Sequence, residues 1–108
     1  MADVETVLPW IKPEWVGVEI GVKEGHSAFR LLEYGCRFMY FVDPWERYEG
    51  YTESAGSTDD YWEREYRLCQ ARLAAHSRRF AILRMPSAAA VNYIPKVDFV
   101  WIDGNHRY

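Results

Sequence analysis

Several things are scarce in this 108-residue chain, and each scarcity narrows what it can be. Cys36 and Cys69 are its only thiols, and they form no CxxC pair and have no histidine-rich surroundings, so nothing indicates a zinc site or a disulfide framework. Free cysteine is commonly buried, and both read as reduced thiols in or near the core. Positive charge is not in excess: thirteen Lys and Arg are scattered among sixteen Asp and Glu, for a net charge of -3 and a pI near 5.6. That leaves no footprint for a phosphate backbone and argues against a nucleic-acid partner. No run approaches the roughly 18 apolar residues of a membrane span. The opening MADVETVLPWIKPEW puts acids and prolines where a signal peptide needs a basic start and an apolar core, so the cytosol is the expected compartment.

What remains is 49% hydrophobic and 17% aromatic, which suits one globular domain over residues 1–108 rather than a disordered chain. Pro9 and Pro13 bracket Trp10 and Ile11 in a lead-in over residues 1–14, packed by its apolar residues but unable to form a long helix. Val16 to Ile20 is a short run stopped by Gly21, expected as a strand buried on both faces. His26 or Ser27 can cap a helix in which Ala28, Leu31 and Leu32 recur at helical spacing, and Gly35 ends it. Phe38 to Val42 is a second strand, halted by Asp43 and Pro44. Residues 46–57 are polar, carry Gly50 and Gly56, and read as a loop. Ser57 or Thr58, followed by Asp59 and Asp60, starts a helix running to about His76, with Trp62, Tyr66, Cys69 and Leu73 on one face and Glu63, Arg64, Arg67 and Arg72 around it. Phe80 to Leu83 is a third strand. A short helix from Ser87 to Val91 leads to a fourth strand, Val97 to Ile102, which stops at Asp103 and Gly104. Four strands alternating with three helical connections define an α/β class with a mainly parallel sheet.

In an open α/β sheet the ligand lies beyond the carboxyl ends of the strands. The residues there are Gly21 and Gly25 after the first strand, Asp43 after the second, Ser87 after the third, and Asp103, Asn105 and His106 after the fourth. A glycine directly after a strand lets the backbone turn tightly and approach a ligand. Asp43 stands 22 positions after Gly21, near the spacing at which an acid can accept from ribose hydroxyls. Two carboxylates and an imidazole on one rim can also bind a divalent metal or move a proton. A dinucleotide turn needs G-x-G-x-x-G, but EIGVKEG has Val22 and Lys23 where the pyrophosphate would come close, and no G-K-[ST] follows for a P-loop. The turn suits an adenosine ligand without phosphates.

Glu19-Ile-Gly-Val-Lys-Glu-Gly25, Asp43 and Ile102-Asp-Gly-Asn-His-Arg-Tyr108 together resemble class I S-adenosylmethionine-dependent methyltransferases, in particular the group whose fourth strand ends in IDG-x-H-x-Y. The resemblance spans about Val16 to Tyr108. It implies a Rossmann-like three-layer sandwich with strand order 3-2-1-4 for the strands present. It further implies that Gly21 and Gly25 line the amino-acid end of S-adenosylmethionine, that Glu19 lies near its amino group or orients the loop, and that Ser27 hydrogen-bonds in the first helical turn. Asp43 would accept both ribose hydroxyls, Pro44 and Trp45 would shape the wall beside the adenosine, and the Met85 to Ser87 turn would face the adenine edge. Asp103 would lie next to the methyl donor, and because metal-dependent relatives bind magnesium there, it is the candidate metal ligand. Asp103 and His106 are the candidate catalytic residues. Blander roles stand beside these: Glu19 as a paired buried acid, His26 as a cap or surface residue, His106 as a structural neighbour and Trp45 as core.

The family's sheet has seven strands, whereas this sequence holds four, so the chain corresponds to the N-terminal half of such a domain. Val97 to Ile102 is then an edge strand rich in Val, Phe and Trp, which, if the chain is complete, invites self-association by strand pairing. The expected activity is methyl transfer to a small-molecule hydroxyl. The alternatives are a non-catalytic adenosine-binding or assembly module, and a nicotinamide-dependent oxidoreductase fragment, which the missing middle glycine disfavours.

Overall fold

A computed structural model of the chain describes residues 3–46 and 59–103. Four strands, β1 (Val16–Ile20), β2 (Phe38–Val42), β3 (Phe80–Leu83) and β4 (Phe99–Ile102), form one parallel sheet in the order β3-β2-β1-β4. The α/β class, the parallel sheet and the strand order are those expected. β1 lies between two neighbours, and its middle residues Gly17, Val18 and Glu19 are all buried. Gly17 is required by packing: a Cβ there would stand 2.2 Å from Cζ of Phe99 on the adjacent strand.

β4 starts two residues later than its apolar run. Pairing with β1 begins at Phe99 opposite Gly17, while Asp98 closes on Val16 through its backbone N–H (2.7 Å) and through its carboxylate, which accepts from the Val16 N–H at 2.8 Å.

Helices α1 (His26–Tyr34) and α2 (Asp59–Leu73) cover one face of the sheet together with the lead-in. On this face Leu31, Leu32, Met39, Phe41, Trp45, Cys69 and Leu73 are essentially inaccessible, and Trp62 on α2 is equally buried. Both cysteines are free and buried, and burial pushes the Cys69 thiol up to about 12. Three expectations need correction here. Gly25, with φ +85°, occupies the N-cap of α1 in place of His26 or Ser27, and no side chain caps the helix. α2 ends at Leu73, after which a 3-10 turn over Ala74–Arg79 breaks at His76, where φ is -110° and ψ is 25°. In the lead-in, two 3-10 turns (Val4–Thr6 and Leu8–Trp10) bury Val4, Leu8 and Ile11 but leave Trp10 78% exposed. The proposed start of α2 at Ser57 or Thr58, and the loop over residues 46–57 beyond Glu46, lie outside the described residues.

The opposite face is covered by α3 (Ser87–Ala90) and the 3-10 turn that follows it, packed on Val18, Val42 and the half-buried Ile20, Tyr40 and Leu83. A four-residue helix shields little, and Val91, Tyr93, Val100 and Ile102 remain exposed. No helix among the described residues is long and apolar enough to cross a membrane.

Candidate functional site

All four strands run the same way, so the turns that follow them gather at one rim. Glu19, one residue before the end of β1, points to the α1 and α2 side and is fully buried. Among the described residues, neither of its carboxylate oxygens has a hydrogen-bond partner of good geometry. Its register partner on β4, Trp101, likewise buries an indole N–H that has no partner among the described residues. Burial drives the Glu19 carboxyl well above its ordinary 4.5, the carboxylates of Asp103 and then Asp43 push the same way, and the Ser27 hydroxyl in the first turn of α1 pulls back. Glu19, Asp43, Asp103 and Ser27 therefore form one electrostatic group, in which the protonated form of Glu19 is favoured.

The turn after β1 is organised by Asp43. Gly21 (φ +87°) donates its N–H to Val42 O at 2.9 Å, which joins the turn to the end of β2. Asp43 Oδ2 then accepts from Val22 N at 2.8 Å and Lys23 N at 2.9 Å, and its Oδ1 accepts from Trp45 N at 2.8 Å. Asp43 is 1% exposed. These three bonds engage both of its oxygens. Gly25 closes the turn onto α2, where a Cβ would lie 3.0 Å from Sγ and 3.2 Å from Cα of Cys69.

Trp45 is tied into the turn after β1. Its ring is 1% exposed, packs on Tyr66 with centroids 4.9 Å apart, and donates its indole N–H to Lys23 O at 2.7 Å. It is a bonded part of the scaffold. Asp103 is half-buried and donates its backbone N–H to Ile20 O at 3.1 Å, which fixes it at the rim beside Glu19. Ser87 lies to the side, at the start of α3, lining an apolar groove of about 500 Å³ on the second face with Val18, Ile20 and Val42. His106 and Asn105 lie outside the described residues.

Arg84, directly after β3, is a participant that sequence reasoning missed. It pairs with Glu63 of α2 at 2.9 Å, reaches the carbonyls of Trp45 (3.3 Å) and Pro44 (3.5 Å), and stacks over the Tyr66 ring at 4.2 Å. Its position at a strand's carboxyl end was the available signal, but a lone cation belongs to no motif.

Among the described residues, no group of three or more His, Cys, Asp or Glu side chains is placed to hold a metal ion. Hard divalent cations need ionised oxygen donors, whereas Glu19 favours its proton and Asp43 is engaged with backbone N–H groups. The described donors do not fit magnesium at Asp103. S-adenosylmethionine fits better: a buried carboxyl without a well-formed hydrogen bond among the described residues stands just before a left-handed glycine turn, and the α1 N-terminus has no side-chain cap.

A 3-2-1-4 parallel sheet with its polar residues gathered at the carboxyl rim defines an open α/β domain, a class whose ligands lie beyond the carboxyl ends of the strands. The methyltransferase domain family matches residues 18–108, and the chain belongs to it. The fold resembles that of precorrin 8W decarboxylase from Methanobacterium thermoautotrophicum, with a TM-score of 0.63 at 15% identity. The match covers 92% of this chain and 45% of that one, so the chain spans under half the length of that structural relative. No curated protein matches the chain significantly.

Proposed function

We propose that the rim binds S-adenosylmethionine and serves methyl transfer to a small-molecule hydroxyl. The observation that supports this most is Glu19: a fully buried carboxyl whose oxygens, among the described residues, have no hydrogen bond of good geometry is costly unless a ligand repays it. In this reading Glu19 faces the ligand's ammonium group, Gly21, Gly25 and Ser27 line the amino-acid end, and Asp43 accepts from the ribose hydroxyls. The bound cofactor supplies an electrophilic methyl group on a sulfonium. Positioning accounts for most of the rate in such a displacement, and Asp103 or His106 takes the proton of the acceptor hydroxyl. Residence in the cytosol belongs to the same proposal.

Calorimetry with S-adenosylhomocysteine tests it. Heat with a midpoint in the micromolar range, weakened in Asp43→Asn, is expected; no heat up to about 1 mM, a weak affinity worth only ~4 kcal/mol, overturns the reading.

A second reading follows from the thin cover of the second face and the edge position of β4, which among the described residues pairs only with β1. Here the chain is a non-catalytic module that binds the adenosine ligand and self-associates through β4. Ligand binding without transfer to any acceptor, together with concentration-dependent sedimentation, would favour it over the first.

A further inference from the structure

The turn after β1 has Lys23 where a glycine-rich turn would have its middle glycine, yet Lys23 adopts the left-handed conformation, φ +54°, that glycine ordinarily supplies. Its surroundings hold it there. Asp43 Oδ2 accepts from the Val22 and Lys23 amides at 2.8 and 2.9 Å, and the Trp45 indole N–H reaches the Lys23 carbonyl at 2.7 Å. Both backbone polar groups of Lys23 are thus tied to residues that follow β2. Trp45 is left-handed as well, with φ +46°, and its own ties are the Asp43 carboxylate, the Tyr66 ring and the Arg84 guanidinium. Arg84 is anchored in turn on Glu63 of α2. Two left-handed non-glycine residues in adjoining turns, bonded to each other and to one buried carboxylate, persist only where the surrounding structure over-determines them.

We propose that Trp45 is a positioning residue: its indole N–H latches the turn after β1 in its ligand-accepting shape, and Arg84, braced on Glu63 and Tyr66, holds the latch closed. The value of the latch to binding rests on the S-adenosylmethionine reading of the rim; the latch itself is a property of the unliganded protein. The shape of the turn is then set by α2 and the end of β3, and a turn lacking its middle glycine still adopts a glycine-like path.

The test measures amide hydrogen exchange at Val22 and Lys23 in the unliganded full chain, and S-adenosylhomocysteine affinity by calorimetry, in the wild type, Trp45→Phe, Lys23→Gly and the double variant. Loss of one hydrogen bond of ordinary strength predicts about tenfold faster exchange at Lys23 and about tenfold weaker binding in Trp45→Phe. Lys23→Gly alone changes little. In the double variant it recovers most of the lost affinity, because glycine enters the left-handed region without the latch; a merely structural role for Trp45 predicts no such rescue. Wild-type exchange and affinity in Trp45→Phe, or a double variant no better than Trp45→Phe, overturns the proposal. Should the wild type bind no S-adenosylhomocysteine, the ligand reading fails, and exchange alone decides the latch. Should Trp45→Phe not fold, Arg84→Lys replaces it, since lysine keeps the charge toward Glu63 but loses the fork that spans two carbonyls. About threefold faster exchange at Lys23 is expected from that weaker loss; unchanged exchange in this variant overturns the proposal.

Discussion

The two faces of the sheet are built from equally apolar strands but are covered very differently. Toward α1 and α2, Phe41, Met39, Leu31, Leu32 and Leu73 are sealed, with Phe99 and Trp101 packed on their margin. Toward α3, only Val18, Val42 and Ala90 are buried among the described residues, while Val100 and Ile102 on β4 are 53% and 59% exposed. The two sets alternate along β4, which reads in the sequence as one continuous buried run. An apolar run therefore identifies a strand without saying how many of its faces are covered. The face holding the larger core also holds Glu19, so the residues that stabilise the fold and the group that carries the proposed site share one side.

The largest effect that would break this comparison is a cavity on the sealed face. Leu73→Ala should cost about 2–5 kcal/mol in urea unfolding, whereas Val100→Ala on the open face should stay within about 0.5 kcal/mol. Equal costs at the two sites would contradict the assignment of the core to one face. Next comes overpacking between β1 and β4. Gly17→Ala drives a Cβ into the Phe99 ring, and a loss of about 1–3 kcal/mol is expected. Phe99→Leu in the same chain should return part of it, and a double-mutant cycle without coupling would show that the two residues do not meet.

A third effect appears as a pH slope. The Glu19 carboxyl is raised above 4.5 in the folded chain, so between that value and its folded value the native state binds more protons than the unfolded one. The stability this group contributes is present in full below the unfolded value and is lost as pH rises through the folded one. Thermal melts should fall from mildly acidic to mildly alkaline pH in the wild type and flatten in Glu19→Gln; parallel profiles would mean that Glu19 is not the group responsible. The smallest effect concerns self-association. Val100→Thr with Ile102→Thr should leave unfolding within about 1 kcal/mol, as exposed positions do, while abolishing any concentration dependence of sedimentation. Association that survives both substitutions does not use this strand.

Much of the fold could be read before the structure, because its signals are local. Each strand announces itself as a short apolar run ended by Gly21, Asp43, Arg84 or Asp103, and the stripe Trp62, Cys69, Leu73 marks the buried side of α2. The misses are residues whose state depends on distant partners. Gly25 reads as a loop glycine until its contact with Cys69 makes it the N-cap of α1. Trp10 looks like core until the 3-10 turn directs it to solvent. The indole bond of Trp45 to Lys23, 22 positions away in sequence, has no local signature. Arg84 links the turn after β2 to α2, a connection that no local pattern encodes. For the site, sequence placed Glu19, Asp43 and Asp103 on one rim, but it could not show that Glu19 is buried without a hydrogen bond of good geometry among the described residues.

The central claim is that this buried carboxyl receives a cationic ligand, and proton release on binding tests it most directly. Burial raises the Glu19 carboxyl in the free protein, and an ammonium group placed beside it favours the charged form, so binding should shift that carboxyl toward proton release. S-adenosylhomocysteine titrated in buffers of different ionisation enthalpy should show proton release near neutral pH and affinity rising with pH, with both dependences lost in Glu19→Gln. Tight binding that is independent of pH and buffer in the wild type would contradict the account.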